Sequence, residues 1–327
     1  MAASPNDAAI RQQIYLEGVK NYEIEKGNEV AGEFIGVVLA SLRSLGVTHL
    51  SELSKKAFNA FLSIVRRKLL RLATRYRGYT ERWLKDVAKS DFAVTKAIFQ
   101  FVAGQPVSIP TTTVGALWAR IKNERVSGTG ALPLAAVASY YSSVVADLIR
   151  LVEQSYSNKG TIAQLISAMK GLPSLNFRDG AASRYYRQFA ALLETLIQHG
   201  SSVVNQWLGR LVSDSYIWIS VLDANTTDIC RGRNGHIYRY GEGPMPPAHW
   251  RCRSRTRPYL EFAPTVPQTF FAWVKDQPRK FLSDVLGAKT ARSLVAGKIP
   301  PSALPKYENA LRISPEQYKD KIALITM

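Results

Sequence analysis

Cysteine, histidine and acid are scarce in this chain. Two cysteines and four histidines in 327 residues exclude a fold built on disulfides, and with it the small secreted scaffolds that depend on them. Acidic residues number 25 against 43 lysines and arginines, a formal net charge of +18. That excess is more than solubility requires and suggests a polyanionic neighbour, with nucleic acid the first candidate. Long apolar runs are missing as well. The longest stretch without charge, Ala97 to Ala119, is broken by Gly104, Pro106 and Pro110, so no membrane span is expected. The opening MAASPNDAAIRQQ has neither the basic start nor the apolar stretch of a signal peptide, and synthesis in a reducing cytoplasm is the expectation. No hydrolase triad, phosphate loop or Gly-rich dinucleotide fingerprint is present.

What is present is mostly helical grammar. At 46% hydrophobic residues the chain can bury a full core. The first 45 or so residues read as a slightly acidic helix in which Glu17, Glu23, Glu25, Glu29 and Glu33 outnumber Lys20 and Lys26. The segment from Lys55 to Lys89 is the reverse, strongly basic and opposed only by Glu81 and Asp86. Within it Phe58, Leu62, Val65, Leu69, Leu72, Tyr76, Tyr79 and Trp83 recur at alternating steps of four and three. That seam predicts one helix of about 50 Å that needs another helix to cover it. Either a bundle within the chain covers the seam and leaves the cations in solvent, or the basic back faces nucleic acid or an acidic partner. Arg67, Arg71 and Arg75 are the candidates on that back.

Further along, two breaker-rich stretches flank a short helix at Val114 to Asn123. Helices follow at Leu134 to Gln154, after an N-cap at Thr161, from Ala181 to Gln198, and from Ser202 to Val212. From Ser215 the pattern changes to β-branched and aromatic runs bounded by Asn234-Gly235 and Gly241-Glu242-Gly243-Pro244, which predicts a small antiparallel sheet. The fold class expected is therefore α+β, predominantly helical. Its divisions are an N-terminal helical region (1–105), a linker with a short helix (106–133), a region of helices followed by the sheet (134–262), and a helical tail (263–327) that ends in a helix capped by Ser314-Pro315-Glu316.

The chemistry concentrates in one place. Both cysteines, Cys230 and Cys252, lie within thirty residues of each other, with His236 and His249 between them. Thiolate and imidazole are the usual ligands of zinc-like ions, and His249-x-x-Cys252 lets two converge from a single turn. Cys230, with His236 or Asp223, would complete a tetrahedral set. Two other readings stay open: a metal-free core in which His249 bonds Asp223 or the backbone, and a Cys230 to Cys252 disulfide. Arginines crowd the same window, at Arg231, Arg233, Arg239, Arg251, Arg253, Arg255 and Arg257. In the run R-C-R-S-R-T-R the last four would project from one face of a strand as a comb suited to phosphate. The alternative is pairing with the acidic N-terminal helix or with a neighbouring subunit.

Asp223, Thr226, Cys230, Asn234-Gly235, Pro246-Pro247, His249, Cys252 and Arg253 reproduce a fixed series of spacings. In this the chain resembles the phage head-morphogenesis family, the Mu F-like minor head proteins, over roughly residues 130 to 260. Many members carry further cysteines where Thr227 and Ser254 stand here, so a four-cysteine site is excluded and any metal must take His or Asp. The resemblance implies a non-enzymatic virion component present in several copies. It would lie at the portal vertex inside the capsid, contacting portal and other capsid proteins and double-stranded DNA, and act in head assembly, packaging, retention or ejection. The competing expectation is a metal-dependent nuclease using His249, Asp223 and Asp228.

Overall fold

The chain changes from helix to sheet where its apolar period changes, and the computed structural model follows that change closely. It describes residues 3–103, 108, 112–223, 225–263, 269–304 and 311–327. Helix α1 (Pro5–Arg43) starts at a Ser4 cap, whose hydroxyl accepts from the Asp7 amide while the Asp7 carboxylate accepts from Ser4. Helix α2 (Lys55–Ala103) runs for 49 residues. It contains no proline, and only Gly78 interrupts its run of side chains. The apolar seam thus lies within a helix of about 74 Å at ~1.5 Å per residue, longer than the seam alone predicts. Helices α3 (Val114–Asn123), α4 (Pro133–Ser157), α5 (Ile162–Lys170) and α6 (Ala181–Gly209) follow, with Thr161 forming a capping box with Gln164.

Strand β1 (Ser215–Ile219), helix α7 (Asp228–Arg233), and strands β2 (Ile237–Arg239) and β3 (Arg255–Pro258) come next. The sheet has order β2-β1-β3, antiparallel throughout, with Ile217 opposite Ile237 on one side and Arg257 on the other. The tail holds α8 (Phe270–Trp273), α9 (Arg279–Leu286), α10 (Ala288–Val295), α11 (Pro315–Lys319) and α12 (Ile322–Thr326). A predominantly helical α+β fold with a small antiparallel sheet is what the chain adopts.

Two compact units form, each from separated stretches. One comprises Met1–Glu23, Leu84–Pro133 and Leu193–Met327, the other Ile24–Trp83 and Leu134–Leu192. This differs from the four consecutive divisions expected, because α1, α2 and α6 each contribute residues to both units. Helix α3 lies inside the first unit, and the breakers after it end at Pro133, where one of the expected divisions coincides with a unit edge. Much of the first breaker stretch, 104–107 and 109–111, lies outside the described residues, as does the proline-rich 264–268.

In the second unit the heptad seam is covered from within the chain. Phe58, Val65, Leu69, Leu72 and Tyr76 are buried, while Leu62, Tyr79 and Trp83 are half-buried. Phe58 stacks on Tyr156 of α4 at 3.8 Å between centroids, Phe34 of α1 lies 5.9 Å from Tyr141, and Thr80 bonds the Tyr141 hydroxyl at 2.8 Å. The first unit holds the sheet. Ile217 and Ile219 pack on Ala9 and Ile10 of α1, and Trp218, on the other face, is fully buried.

Two helix limits depart from expectation for local reasons. The break expected at His199-Gly200 does not occur, since α6 runs straight through. His199 is buried and its Nε2 lies 3.1 Å from the Ile121 carbonyl, and Gly200 faces the Ile121 side chain. Tertiary contact has overridden a weak helix former. The final helix is instead two short ones, α11 and α12, with Asp320 and Lys321 between them.

Glycine is required for space at Gly180, where an added Cβ would sit 2.3 Å from the Gly171 nitrogen and the Lys170 carbonyl carbon. Gly180→Ala should cost about 1–3 kcal/mol of unfolding free energy through overpacking. Gly32→Ala, in a helix interior with nothing within 4 Å, should gain about 0.5–1 kcal/mol. Urea titrations of the two variants should move in opposite directions.

Candidate metal centre

Strand β1 supplies the floor of the site. Its buried Trp218 packs on Cys230 and Cys252, with Tyr238 and Ala248 at the edge. The indole N–H donates to the Ser220 hydroxyl (3.0 Å), which donates to the Cys230 carbonyl (2.9 Å) and lies 2.9 Å from the Ser254 hydroxyl. Asn234 accepts from the Ser220 amide at 2.8 Å, and the Gly235 amide donates to the Trp218 carbonyl at 2.9 Å. Gly235 has φ 83°, a conformation open to glycine at little cost. The Asn-Gly pair thus returns the chain from α7 to the sheet and holds Cys230 over it.

The other arm is the His249 to Cys252 turn. The Cys252 amide donates to the His249 carbonyl at 3.3 Å, and Arg251 takes φ 59° between them. The Arg251 amide donates to the Thr195 hydroxyl at 3.0 Å, and its guanidinium pairs with Glu194 at 3.1 Å, so α6 holds the strained residue at both ends. From the opposite side Gly128 seats against backbone. A Cβ there would lie 2.8 Å from the His249 nitrogen and the Pro247 oxygen.

These arms bring Cys230, His249 and Cys252 together, with one ligand atom from each within 4.8 Å of the others. The sulfurs are 3.7 Å apart and both cysteines are free thiols, so no disulfide joins them. His249 Nε2 lies 3.2 Å from Cys230 Sγ and 2.9 Å from the Thr227 hydroxyl, while Nδ1 lies 2.8 Å from the Trp250 carbonyl. A carbonyl only accepts, so the Nδ1 proton is held there and Nε2 is the free ligand atom. A backbone carbonyl on the outer nitrogen is a usual support for a metal-bound imidazole.

The electrostatics point the same way. Cys252 is pulled far below the ordinary thiol value, chiefly because Cys230 S–H donates to it, with burial opposing and His249 and the backbone at Ala248 and Ser254 assisting. The same contact, together with burial, pushes Cys230 far up. His249 is raised, first by its bond to Cys252, against burial. A proton held between two buried sulfurs beside an imidazole is one that a metal ion can replace. The donor set, its burial and its tautomer fit a metal ion of zinc type.

The other two ligand candidates lie elsewhere. Asp223 belongs to a clasp, accepting from Arg253 Nη1 at 2.7 Å and Nη2 at 2.6 Å, with both side chains about nine-tenths buried. Burial works to raise its pKa, but the Arg253 bond and charge, aided by the Asn225 amide and the Thr226 hydroxyl, hold it below the usual carboxylate range. His236 is exposed beside Tyr238, outside the ligand group.

The arginine comb does not form. Only Arg255 and Arg257 lie in β3, and the face they share is an inner one, with 1% and 3% exposure. Arg257 donates to Asn6 (2.6 Å) and to the carbonyls of Pro258 and Ala263 (2.8 Å each), and burial lowers its pKa to about 10. Alternation identifies a shared face without saying whether it points inward. Arg231 and Arg239 are exposed, and Arg233 lies over the Trp218 ring at 5.2 Å.

Several supporting groups were not visible as such in the sequence. Buried Lys20 donates to Glu17 and Gln198 at 2.7 Å each and to the Cys252 carbonyl at 3.4 Å, while Gln198 donates to the Ser254 carbonyl at 2.7 Å. The spacing of Glu17 and Lys20 on one helix face shows a pair, but not that the face is internal. Comparison with protein-family models, curated proteins and solved structures finds no match to this chain.

Asp223→Asn breaks a buried pair and should cost about 3 kcal/mol near neutral pH. Because the folded pKa is depressed, the stability from the clasp is present above the unfolded value of about 3.9 and is lost as pH falls through the folded one. Wild-type stability measured below about pH 4 should therefore fall more steeply than that of the variant. Gly128→Ala should lose about 1–3 kcal/mol, because backbone and not a flexible side chain must move. Thermal unfolding at neutral pH checks this.

Proposed function

We propose that this chain is a non-enzymatic virion component, a minor head protein of the phage head-morphogenesis type. In this reading several copies, made in the host cytoplasm, sit inside the capsid at the portal vertex. They contact portal and other capsid proteins and double-stranded DNA, and act in head assembly and in packaging, retention or ejection of the genome. The observation that carries the reading is convergence: Asp223, Cys230, His249, Cys252 and Arg253, the positions on which the family resemblance rests, fold into one knot. Its ends are tied by the Asp223–Arg253 clasp and its centre by the thiol and imidazole groups. The +18 net charge suits a surface beside packaged DNA.

In this reading Cys230, His249 and Cys252 hold a structural zinc ion. Zinc supplies a cross-link between α7 and the turn before β3, which matters because a three-stranded sheet with strands this short buries little apolar surface. The chain's own residues set the cradle. Trp250 fixes the imidazole, Trp218 excludes water beneath the sulfurs, and Lys20 and Gln198 fix the backbone on either side of Arg253. The nuclease alternative gains no support from the geometry, since Asp223 is engaged by Arg253 and both sulfurs are buried.

Metal analysis of the purified chain should give about one zinc per molecule, lost in the Cys230→Ser, Cys252→Ser double variant. No metal with two titratable thiols would leave a metal-free core, and masked thiols would indicate a disulfide. Immunogold labelling of intact particles should place the chain at a single vertex. Label spread over the whole shell, or plasmid cleavage abolished by His249→Ala, would overturn the assignment.

A further inference from the structure

We infer that the outward ridge of α2 between Lys56 and Arg77 is the surface on which this chain carries a nucleic-acid duplex, held by its phosphates without reading sequence. The inference rests on the reading above that DNA is a neighbour of this chain and names the face that meets it. All of the residues concerned lie in the second unit.

The seam of α2 is buried, so the opposite side faces solvent. Between Glu52 and Glu81 that helix has no acidic residue. Its cations divide into two groups. Those nearest the seam are engaged: Arg66 pairs with Glu153 at 3.8 Å, Arg75 with Glu33, and Lys68 donates to the Ser41 hydroxyl at 3.4 Å. Lys56, Arg67, Arg71 and Arg77 are exposed and, among the described residues, make no hydrogen bond or ion pair. Arg75, expected from sequence to share the ridge, belongs to the engaged group.

The free cations follow the ridge line. Residues 60, 67 and 74 stand opposite the seam, with 56, 63, 70 and 77 on one shoulder and 64, 71 and 78 on the other. Ala60, Ser63, Thr74 and Gly78 are small, and the Thr74 hydroxyl turns back to the Leu70 carbonyl, so the long cationic side chains reach furthest. From Lys56 to Arg77 the helix advances about 31 Å at ~1.5 Å per residue, close to one turn of a B-form duplex, about 34 Å. Three of the four are arginines, whose planar fork suits phosphate oxygens. Exposed Ile64 and Leu70 would suit a protein partner, but two apolar side chains on opposite shoulders make no continuous patch. The arginine comb cannot supply this surface, because Arg255 and Arg257 are internal, Arg253 is clasped and Arg251 pairs with Glu194.

The test is fluorescence anisotropy of the full chain with 30-base-pair duplexes of two unrelated sequences, from about 50 to 200 mM salt. Wild type should bind both duplexes equally, with affinity falling steeply as salt rises. The Arg67→Gln, Arg71→Gln, Arg77→Gln variant removes three phosphate contacts and should flatten the log–log slope by about 2.7, a difference of about 40-fold across that salt range. Arg231→Gln, Arg239→Gln, altering exposed cations near the sheet, should leave the slope unchanged. Far-UV circular dichroism and melting temperature confirm that the variants fold, glutamine being as good a helix former as arginine. Wild type failing to bind duplex at low salt overturns the reading of DNA as a neighbour. A wild-type slope retained in the triple variant overturns this face alone. Polyglutamate displacing the duplex at equal charge concentration would assign the ridge to an acidic protein and overturn the inference.

Discussion

Two charges taken out of water, Asp223 and Arg253, decide whether the sulfur and imidazole groups meet at all. The Arg253 fork grips both carboxylate oxygens, and each partner leaves the other as an uncompensated buried charge if removed. Because Asp223 precedes α7 and Arg253 follows Cys252, closing this pair fixes the ends of the loop that carries Cys230, His249 and Cys252. The loop residues then need only local geometry: an Asn-Gly return, a tight turn through Arg251 and a glycine seat at Gly128. A ligand set on a mobile loop would lose ordering entropy on binding, and here that cost is met by folding.

The polar interior of the first unit extends the same logic. Lys20, Glu17, Gln13 and Gln198 form a connected buried network, with Gln13 donating to Glu17 and to Gln198 at 2.9 Å. Its outward-reaching bonds go to the carbonyls of Cys252 and Ser254, on either side of the clasped Arg253. A network whose members are mutually satisfied selects one arrangement among several that apolar packing would tolerate. The N-terminal helix, acidic by composition, directs part of that acidity inward.

Legibility followed period. The α2 seam could be read because a 3.5-residue repeat persists over many turns and only a helix satisfies it, and α3 could be read because breakers bracket it. Clustering of rare residue types exposed Cys230, His249 and Cys252. Burial was what the sequence could not show. Arg255 and Arg257 alternate as surface residues of a strand would, yet their shared face is internal, because the strand is covered on both sides. Asp223 looked like a fourth ligand until its arginine was placed beside it. Of the consecutive divisions, the edge after Pro133 recurs as a unit edge and the others do not, because loop composition records where a chain turns, not which segments share a core.

One consequence concerns the order of synthesis. Ala9 and Ile10, in the second turn of the first helix, cover Ile217 and Ile219 of the central strand. At roughly 5–20 residues per second, about 200 residues of translation separate them, a wait of about 10–40 s. Through that interval the helix emerges with an uncovered apolar flank and with Lys20 paired to Glu17 but lacking Gln198 and the Cys252 carbonyl. Until the strand is made, that flank can be covered only by something else, such as the chain's own intervening helices.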